Sequence, residues 1–395
     1  MEYGNMPKDQ KIEWIKSLTP NTAIWEITLK CNMRCIHCGS TAGPDTRLLD
    51  ELNTKEAIDL VHQLAEIGTK RIVFSGGEPF IRGDWPLLAK EAAVVGIMPS
   101  FISNGYMLDE KVAGQIAELK KINELTHVGL SLDGTEKIHD HLRQISGSYK
   151  RVLRAMKALR KEGILMSVVS TVSKFNIKVL PQMMDVVFGH DAWHWQLQMA
   201  TPWGRFTRDM MLDTEEYMYM LYFLAEQKEK LGNKINGADD CGYYTYLEDK
   251  LRPQGTWSGC HAGVRTIGLR SNGDVMGCLS LQEEVFIEGN IREKKLRDFW
   301  YDPDAFSYNR NFVKSDLKGF CGTCPNGLVC RGGCKNTAYS ITRDPAENLY
   351  CAFKIMMEDK DGITKDPKKL KEKIYSSTYT EDNIKSVADE VLPAQ

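Results

Sequence analysis

An apolar, strand-like stretch, Ala23–Leu29, runs directly into Lys30-Cys31-Asn32-Met33-Arg34-Cys35-Ile36-His37-Cys38. Thiolates spaced C-x3-C-x2-C hold three corners of an iron–sulfur cube and leave its fourth iron open. An open iron is a place for chemistry, not only for electron storage. The spacing differs from the C-x2-C pairs of a zinc ribbon and is too tight for a disulfide framework.

The chain of 395 residues is long enough for two or three domains. A net charge of −2 gives no electrostatic argument for nucleic acid or an anionic membrane surface. There is no apolar run of about 18 residues to span a bilayer, and Met1 to Gln10 lacks the apolar core of a secretory signal. Eleven cysteines in a chain of this size, at these spacings, point to thiolates kept reduced in a cytoplasm. Oxygen-labile open cubes add the expectation of an anaerobic or microaerobic host.

Strand patterns recur at Ala23–Leu29, Arg71–Phe74, Ser100–Ser103, Val128–Leu132, Leu165–Val172 and Trp195–Met199. Helical patterns lie between them. The clearest, Thr54 to Ile67, sets Ala57, Leu60, Val61, Leu64 and Ala65 on one face, with an Asn53/Glu56 capping box and a terminating Gly68. Alternating strands and helices predict an α/β fold with a parallel sheet, in six repeats and not the eight of a closed barrel. Residues 211–256 read as a bridge, helical from Met218 to Leu231 and loop-like from Gly237 to Tyr246. Trp257 to Phe353 is cysteine- and glycine-rich, as expected of a small domain held by metal. The lysine-rich run from Lys365 to Lys373 reads as a solvated or partly disordered tail.

Two cysteine patterns co-occur. Downstream of the first come Cys260, Cys278, Cys321-x2-Cys324-x5-Cys330-x3-Cys334 and Cys351. Together they resemble the radical S-adenosylmethionine (radical SAM) enzymes that carry a C-terminal SPASM extension with two auxiliary clusters. The resemblance spans roughly residues 21–355. It implies a partial (β/α)6 TIM-like barrel over 21–210, preceded by an extension over 1–20. A bridge over 211–256 follows, then a cysteine-rich auxiliary-cluster domain over 257–355 and a tail over 356–395. It also implies three [4Fe-4S] clusters and SAM chelated to the open iron.

Active sites of β/α barrels gather at the C-terminal strand ends, where the distinctive residues recur here. Ser75-Gly76-Gly77-Glu78-Pro79 resembles the family's motif for the SAM amino group, with Glu78 offering a carboxylate to an ammonium. Ser103-Asn104-Gly105 and Ser131-Leu132-Asp133-Gly134 suit ribose hydroxyls or the SAM carboxylate, and equally suit turns. Arg143 resembles an arginine that pairs with the SAM carboxylate in relatives; an exposed helix arginine is the alternative. His37 stands where relatives carry an aromatic near adenine. Ser170, Thr171 and Gln198 are weaker candidates for ribose or substrate. Trp193, Trp195, Trp203, Tyr243, Tyr244 and Tyr246 line a cavity or pack between domains.

By the same resemblance, Cys321, Cys324, Cys330 and Cys351 form one auxiliary set, and Cys260, Cys278 and Cys334 the other. The second set is one ligand short, since Gln254 and Gly255 stand where relatives supply a further cysteine. Cys241 is left over, as fourth ligand, hydrogen-atom donor or packing thiol, the first being preferred. Cys278-Leu279-Ser280 lacks the aspartate that follows this cysteine in sulfatase-maturing relatives, which argues against that activity.

The resemblance implies reductive cleavage of SAM to a 5′-deoxyadenosyl radical that abstracts a substrate hydrogen, with net substrate oxidation as the default. A ribosomally made peptide, crosslinked by the reaction, is the preferred substrate. Dehydrogenation, epimerisation or decarboxylation of a small molecule is the alternative, and a non-catalytic electron-transfer protein a remote one. A flavodoxin- or ferredoxin-like donor is implied. About 20 residues precede the first strand, few for a leader-binding domain, so a separate recognition protein or direct binding is expected.

Overall fold

The computed structural model describes residues 3–46, 50–252 and 255–376. Gln254 lies outside them. Ten strands form one sheet: β1 (Thr22–Thr28), β2 (Arg71–Gly76), β3 (Met98–Ser103), β4 (His127–Ser131), β5 (Leu165–Val172), β6 (His194–Met199), β7 (Ile235–Gly237), β8 (Thr266–Leu269), β9 (Asp274–Met276) and β10 (Ile287–Asn290). Their order is β10-β9-β8-β1-β2-β3-β4-β5-β6-β7. All pairings from β8 through β1 to β7 are parallel, and β9 and β10 add antiparallel at the edge. The six expected strands are present, but the parallel sheet is wider than six. β7 comes from the bridge and β8 from the cysteine-rich region, so the sheet crosses both expected boundaries.

Outward residues of the strands, such as Trp25, Phe74, Phe101, Val168 and Trp195, are fully buried beneath the helices. The Thr54–Glu66 helix shows the full Asn53/Glu56 capping box, and Ala57, Leu60, Val61 and Leu64 are buried. Gly68 follows at φ +80°, a left-handed conformation suited to glycine.

The tail expectation is corrected. Pro367–Ser376 forms a helix that packs on the Thr214–Leu231 helix. Leu370 and Ile374, one turn apart, are buried, and Lys373 pairs with Glu215 at 2.6 Å. The lysines are solvated, but the apolar pair at i, i+4 docks the helix. The cysteine-rich region is built from short helices, among them Gly319–Thr323, Gly327–Cys330, Lys335–Thr342 and Ala352–Glu358. Arg292 ties it to the barrel, donating Nε and Nη2 to the two oxygens of Glu56 at 2.7 and 2.9 Å. No helix among the described residues is long and apolar enough to cross a membrane.

Candidate active site

The loop after β1 is pinned at several points. Cys31 N–H donates to Gly43 O, Ile36 N–H to Leu142 O and Cys38 N–H to Cys35 O. Arg205 reaches in from beyond β6, donating Nε to Cys35 O at 2.8 Å, Nη2 to Ala42 O at 2.9 Å and its amide to Cys38 O at 3.2 Å. Gly204 is what lets it approach: a Cβ there would lie 2.4 Å from Cys38 O. Burial pushes the Cys31 thiol up to about 12 and raises Cys35 as well, so these sulfurs become thiolates only when a cation neutralises them.

Cys31, Cys35 and Cys38 line one cavity with Gly76, Gly77, Ser103, Asn104, Ser131, Arg143 and His37. Two donors face the sulfurs: Asn104 Nδ2 lies 3.7 Å from Cys31 Sγ and Arg143 Nη1 3.9 Å from Cys35 Sγ. His37 Nδ1 and Asn32 Nδ2 are buried without a partner beside them. Three soft thiols, donors aimed at them and idle buried donors together fit a cluster with an adjoining organic ligand.

The glycines form the opposite wall. A Cβ on Gly76 would sit 2.2 Å from Thr28 O, and one on Gly77 2.3 Å from Lys30 O, so the β2 turn packs its bare backbone on the end of β1. Glu78 lies deeper than the glycines. Its side chain is fully buried behind the glycines, where it accepts from Ser103 Oγ at 2.9 Å, Asn104 N–H at 2.9 Å and Phe80 N–H at 3.3 Å. Burial raises it to about 7 despite these bonds. It braces the β2 and β3 turns against each other, which is a positioning role.

Ser103 serves the same brace, while Ser131 lines the cavity. Arg143 is buried, which removes the exposed-helix alternative, and it donates Nε to Asp133 Oδ2 at 2.8 Å, with Nη2 on the same oxygen. His37 Nε2 lies 3.3 Å from that oxygen. Burial alone would raise Asp133, but Arg143 and His37 hold its carboxyl well below the usual carboxylate range.

A second cavity, about 590 Å³, fills the barrel interior. It is lined by alternate residues of the strands, including Ser75 on β2, Ser100 on β3, Ser167 and Thr171 on β5, and Gln196 and Gln198 on β6. Closed barrels fill this space with branched apolar side chains. Here polar side chains keep it open. Gln198 Nε2 donates to Thr171 Oγ1 at 3.2 Å inside the cavity. Ser170 faces outward instead, bonding Leu132 O and Trp195 Nε1 in the helix layer. Trp193 and Trp203 line the cavity, Trp195 and Tyr243 are core, and Tyr246 is exposed. Leu279, Ser280 and Gln282, just beyond Cys278, close the cavity from the cysteine-rich side.

Cys321, Cys324, Cys330 and Cys351 surround one small apolar cavity with Tyr243, Tyr244 and Phe353. Cys260, Cys278 and Cys334 lie in one another's fields, as does Asp239 beside Cys260 and Cys278. Tyr243 Oη joins the two segments, donating to Asp239 O and accepting from Cys334 N–H. Cys241 is turned elsewhere. Its buried sulfur bonds Asp240 Oδ1 at 3.4 Å and Leu197 O at 4.0 Å, and the groups facing it are Asp240 and Arg252. The ligand reading for Cys241 is corrected to a packing thiol, because the short Gly237–Cys241 turn holds it under β6.

Arg205, Asp239 and Lys335 carried no expectation. Lys335 is fully buried, donates to Arg331 O and Pro345 O, and is pushed down to about 7 by burial. The legible signals were Trp203-Gly204-Arg205 in the loop after β6 and the paired Asp239-Asp240 before Cys241.

A three-thiol loop, a glycine wall and a polar-lined cavity at the strand ends of a β/α barrel define a cluster-dependent enzyme. The Radical SAM superfamily model matches residues 25–185, and that of an iron–sulfur cluster-binding domain, SPASM, residues 260–325. The chain belongs to the radical SAM superfamily and carries a SPASM domain. It is 26% identical to the AdoMet-dependent heme synthase of Methanosarcina barkeri, over 85% of this chain and 97% of that one. It is 24% identical to the PqqA peptide cyclase of Granulibacter bethesdensis, over 86% and 90%. Its fold matches Streptococcus suis SuiB bound to S-adenosylmethionine, with TM-score 0.66, 18% identity and coverage of 84% and 76%.

Proposed function

We propose that this radical SAM enzyme oxidatively modifies a ribosomally made peptide held in the barrel cavity. The observation that carries the reading is the continuity of that cavity. It touches Ser75 and Gly76 beside the three-thiol loop at one wall, and Leu279, Ser280 and Gln282 beside Cys278 at the other. A substrate there lies between the SAM pocket and an auxiliary cysteine set.

Cys31, Cys35 and Cys38 would hold a cluster that, with SAM, would supply radical chemistry for removing hydrogen from the substrate, and the auxiliary cysteines would hold clusters able to take up an electron. The chain's part is positioning. The Glu78 brace fixes the glycine wall, Arg205 fixes the thiol loop, and Thr171 and Gln198 offer hydrogen bonds to the substrate. Three clusters are proposed: on Cys31, Cys35 and Cys38; on Cys260, Cys278 and Cys334; and on Cys321, Cys324, Cys330 and Cys351. A flavodoxin- or ferredoxin-like protein supplies the first electron. A peptide substrate is supported by the PqqA peptide cyclase relatives and by SuiB, whose structure with its precursor peptide SuiA shares the fold.

Dehydrogenation, epimerisation or decarboxylation of a small molecule is the second reading. It is favoured by the heme synthase relative and by Fe-coproporphyrin III synthase of Methanosarcina barkeri, 28% identical over 86% of this chain and 90% of that one. Anaerobic turnover followed by mass spectrometry separates the two. Loss of a hydrogen pair from a peptide supports the first reading, and release of carbon dioxide the second.

A further inference from the structure

The barrel cavity reaches well past the SAM pocket, and its far end is chemically distinct. Arg71 at the start of β2, His127 at the start of β4 and His194 at the start of β6 all line it. Arg71 has no ion-pair partner among the described residues. Its Nη2 reaches only Thr22 Oγ1, at 3.3 Å, and its Nε is buried with no partner at all. Arg71 is half-buried and faces the cavity, so the groups free to meet its charge are those that enter the cavity.

The neighbours do not supply a carboxylate. The groups in the field of His127 are Arg71 and His194, and the group in the field of His194 is Lys228. Glu26 is the one carboxylate among the residues lining the cavity, and it stands in register with Ser75 at the SAM end. Four residues of β1 separate it from Thr22, the partner of Arg71, a span of roughly 13 Å.

One imidazole, that of His194, is set as a donor. Lys228 Nζ donates to Asn236 Oδ1 at 2.7 Å, which fixes the amide so that its Nδ2 faces His194 Nε2 at 2.9 Å. That leaves Nδ1 of His194 to carry the ring proton. Burial, with Arg71 beside it, pushes His127 down to about 4, so at neutral pH the cluster presents one fixed positive charge and two neutral rings.

We infer that this far end is an anion subsite, in which the Arg71 guanidinium, with the His194 Nδ1–H beside it, seats a carboxylate of the substrate. The inference rests on the reading of the barrel cavity as the substrate chamber. It adds a length and a charge to that substrate. Arg71 and Gly76 are five residues apart on one strand, so the carboxylate sits roughly 16 Å from the backbone that lines the SAM pocket. In a peptide this is an acidic side chain or chain end four to five extended residues from the reacting carbon; in a small molecule it is a pendant acid.

The test soaks anaerobically grown crystals of the full-length holoprotein with 4-bromobenzoate and, separately, with the neutral 4-bromobenzyl alcohol, locating bromine by anomalous scattering. Equilibrium titration of 4-bromobenzoate accompanies it, on wild type, Arg71→Gln and Arg71→Lys. The subsite predicts a carboxylate on Arg71 in the crystal and no ordered alcohol there. It also predicts binding weakened about tenfold or more in Arg71→Gln and largely kept in Arg71→Lys. Arg71→Lys keeps the comparison usable if the glutamine variant loses iron or fails to fold. Equal binding of acid and alcohol, binding at another site, or an undiminished affinity in Arg71→Gln overturns the inference. The experiment needs neither reductant nor turnover, so its failure rejects the subsite and leaves the radical reaction to its own assay.

Discussion

Replacing Glu78 by glutamine distinguishes a brace from a ligand. The carboxylate accepts three hydrogen bonds in a fully buried site, two of them from backbone amides. Glutamine keeps one acceptor oxygen for Asn104 N–H and turns its amide group to the Ser103 hydroxyl. It sacrifices only the 3.3 Å contact from Phe80, at a cost of about 1 kcal/mol. The pH dependence is the sharper signature. Burial raises Glu78 from 4.5 to about 7, so its contribution to stability is fully present below its unfolded value and is lost as pH rises through 7. A shift of that size corresponds to something on the order of 3 kcal/mol. With about 2.1 cal/mol/K of unfolding entropy per residue, this is about 4 °C in Tm for a chain of 395 residues. Glutamine does not titrate. Tm of Glu78→Gln minus Tm of wild type, measured anaerobically by scanning fluorimetry without SAM, should therefore rise by about 3 °C between pH 5 and pH 8, since part of the loss falls below pH 5. SAM affinity should stay within about threefold of wild type, whereas a direct ion pair to the ammonium would be worth about 10- to 150-fold. A pH-independent Tm difference, or a loss of affinity in that larger range, refutes the brace.

Gly77→Ala forces a Cβ to within 2.3 Å of Lys30 O and should abolish SAM binding by equilibrium dialysis while iron on the auxiliary cysteines remains. Cys241→Ala should keep every cluster signal in Mössbauer and EPR spectra and lose no more than about 1 kcal/mol of stability, as a small buried thiol does. Arg292 hydrogen-bonds Glu56 and lowers it to about 2, so that pair contributes above about pH 4.5 and is lost as pH falls through 2. Arg292→Ala should flatten that acid limb in pH-jump unfolding, by about 1 kcal/mol or less because both groups are partly exposed.

Six strands and the Asn53-capped helix were legible because local pattern and tertiary role agree there. β7 and β8 were not. Ile235–Gly237 and Thr266–Leu269 are too short to show a period of two, and they join the sheet only through non-local pairing with β6 and β1. The open interior did leave a trace. His194-Trp195-Gln196-Leu197-Gln198-Met199 alternates polar and apolar, whereas a parallel strand buried on both faces reads as a continuous apolar run. Leu370 and Ile374 were the overlooked signal in the lysine-rich tail. For the site, spacing located the three-thiol loop and the glycine wall, since both are local. The roles of Glu78 and Cys241 are set by Ser103, Asn104 and Leu197, partners far away in sequence.

The central claim is that Cys31, Cys35 and Cys38 hold the cluster that cleaves SAM. Anaerobically reconstituted protein, reduced with dithionite and supplied with SAM, should release 5′-deoxyadenosine and methionine, detected by liquid chromatography. It should hold about 12 irons. With all three cysteines changed to alanine it should retain about eight irons and release no 5′-deoxyadenosine. Continued formation of 5′-deoxyadenosine by that variant, or none from the fully loaded wild type, would contradict the account.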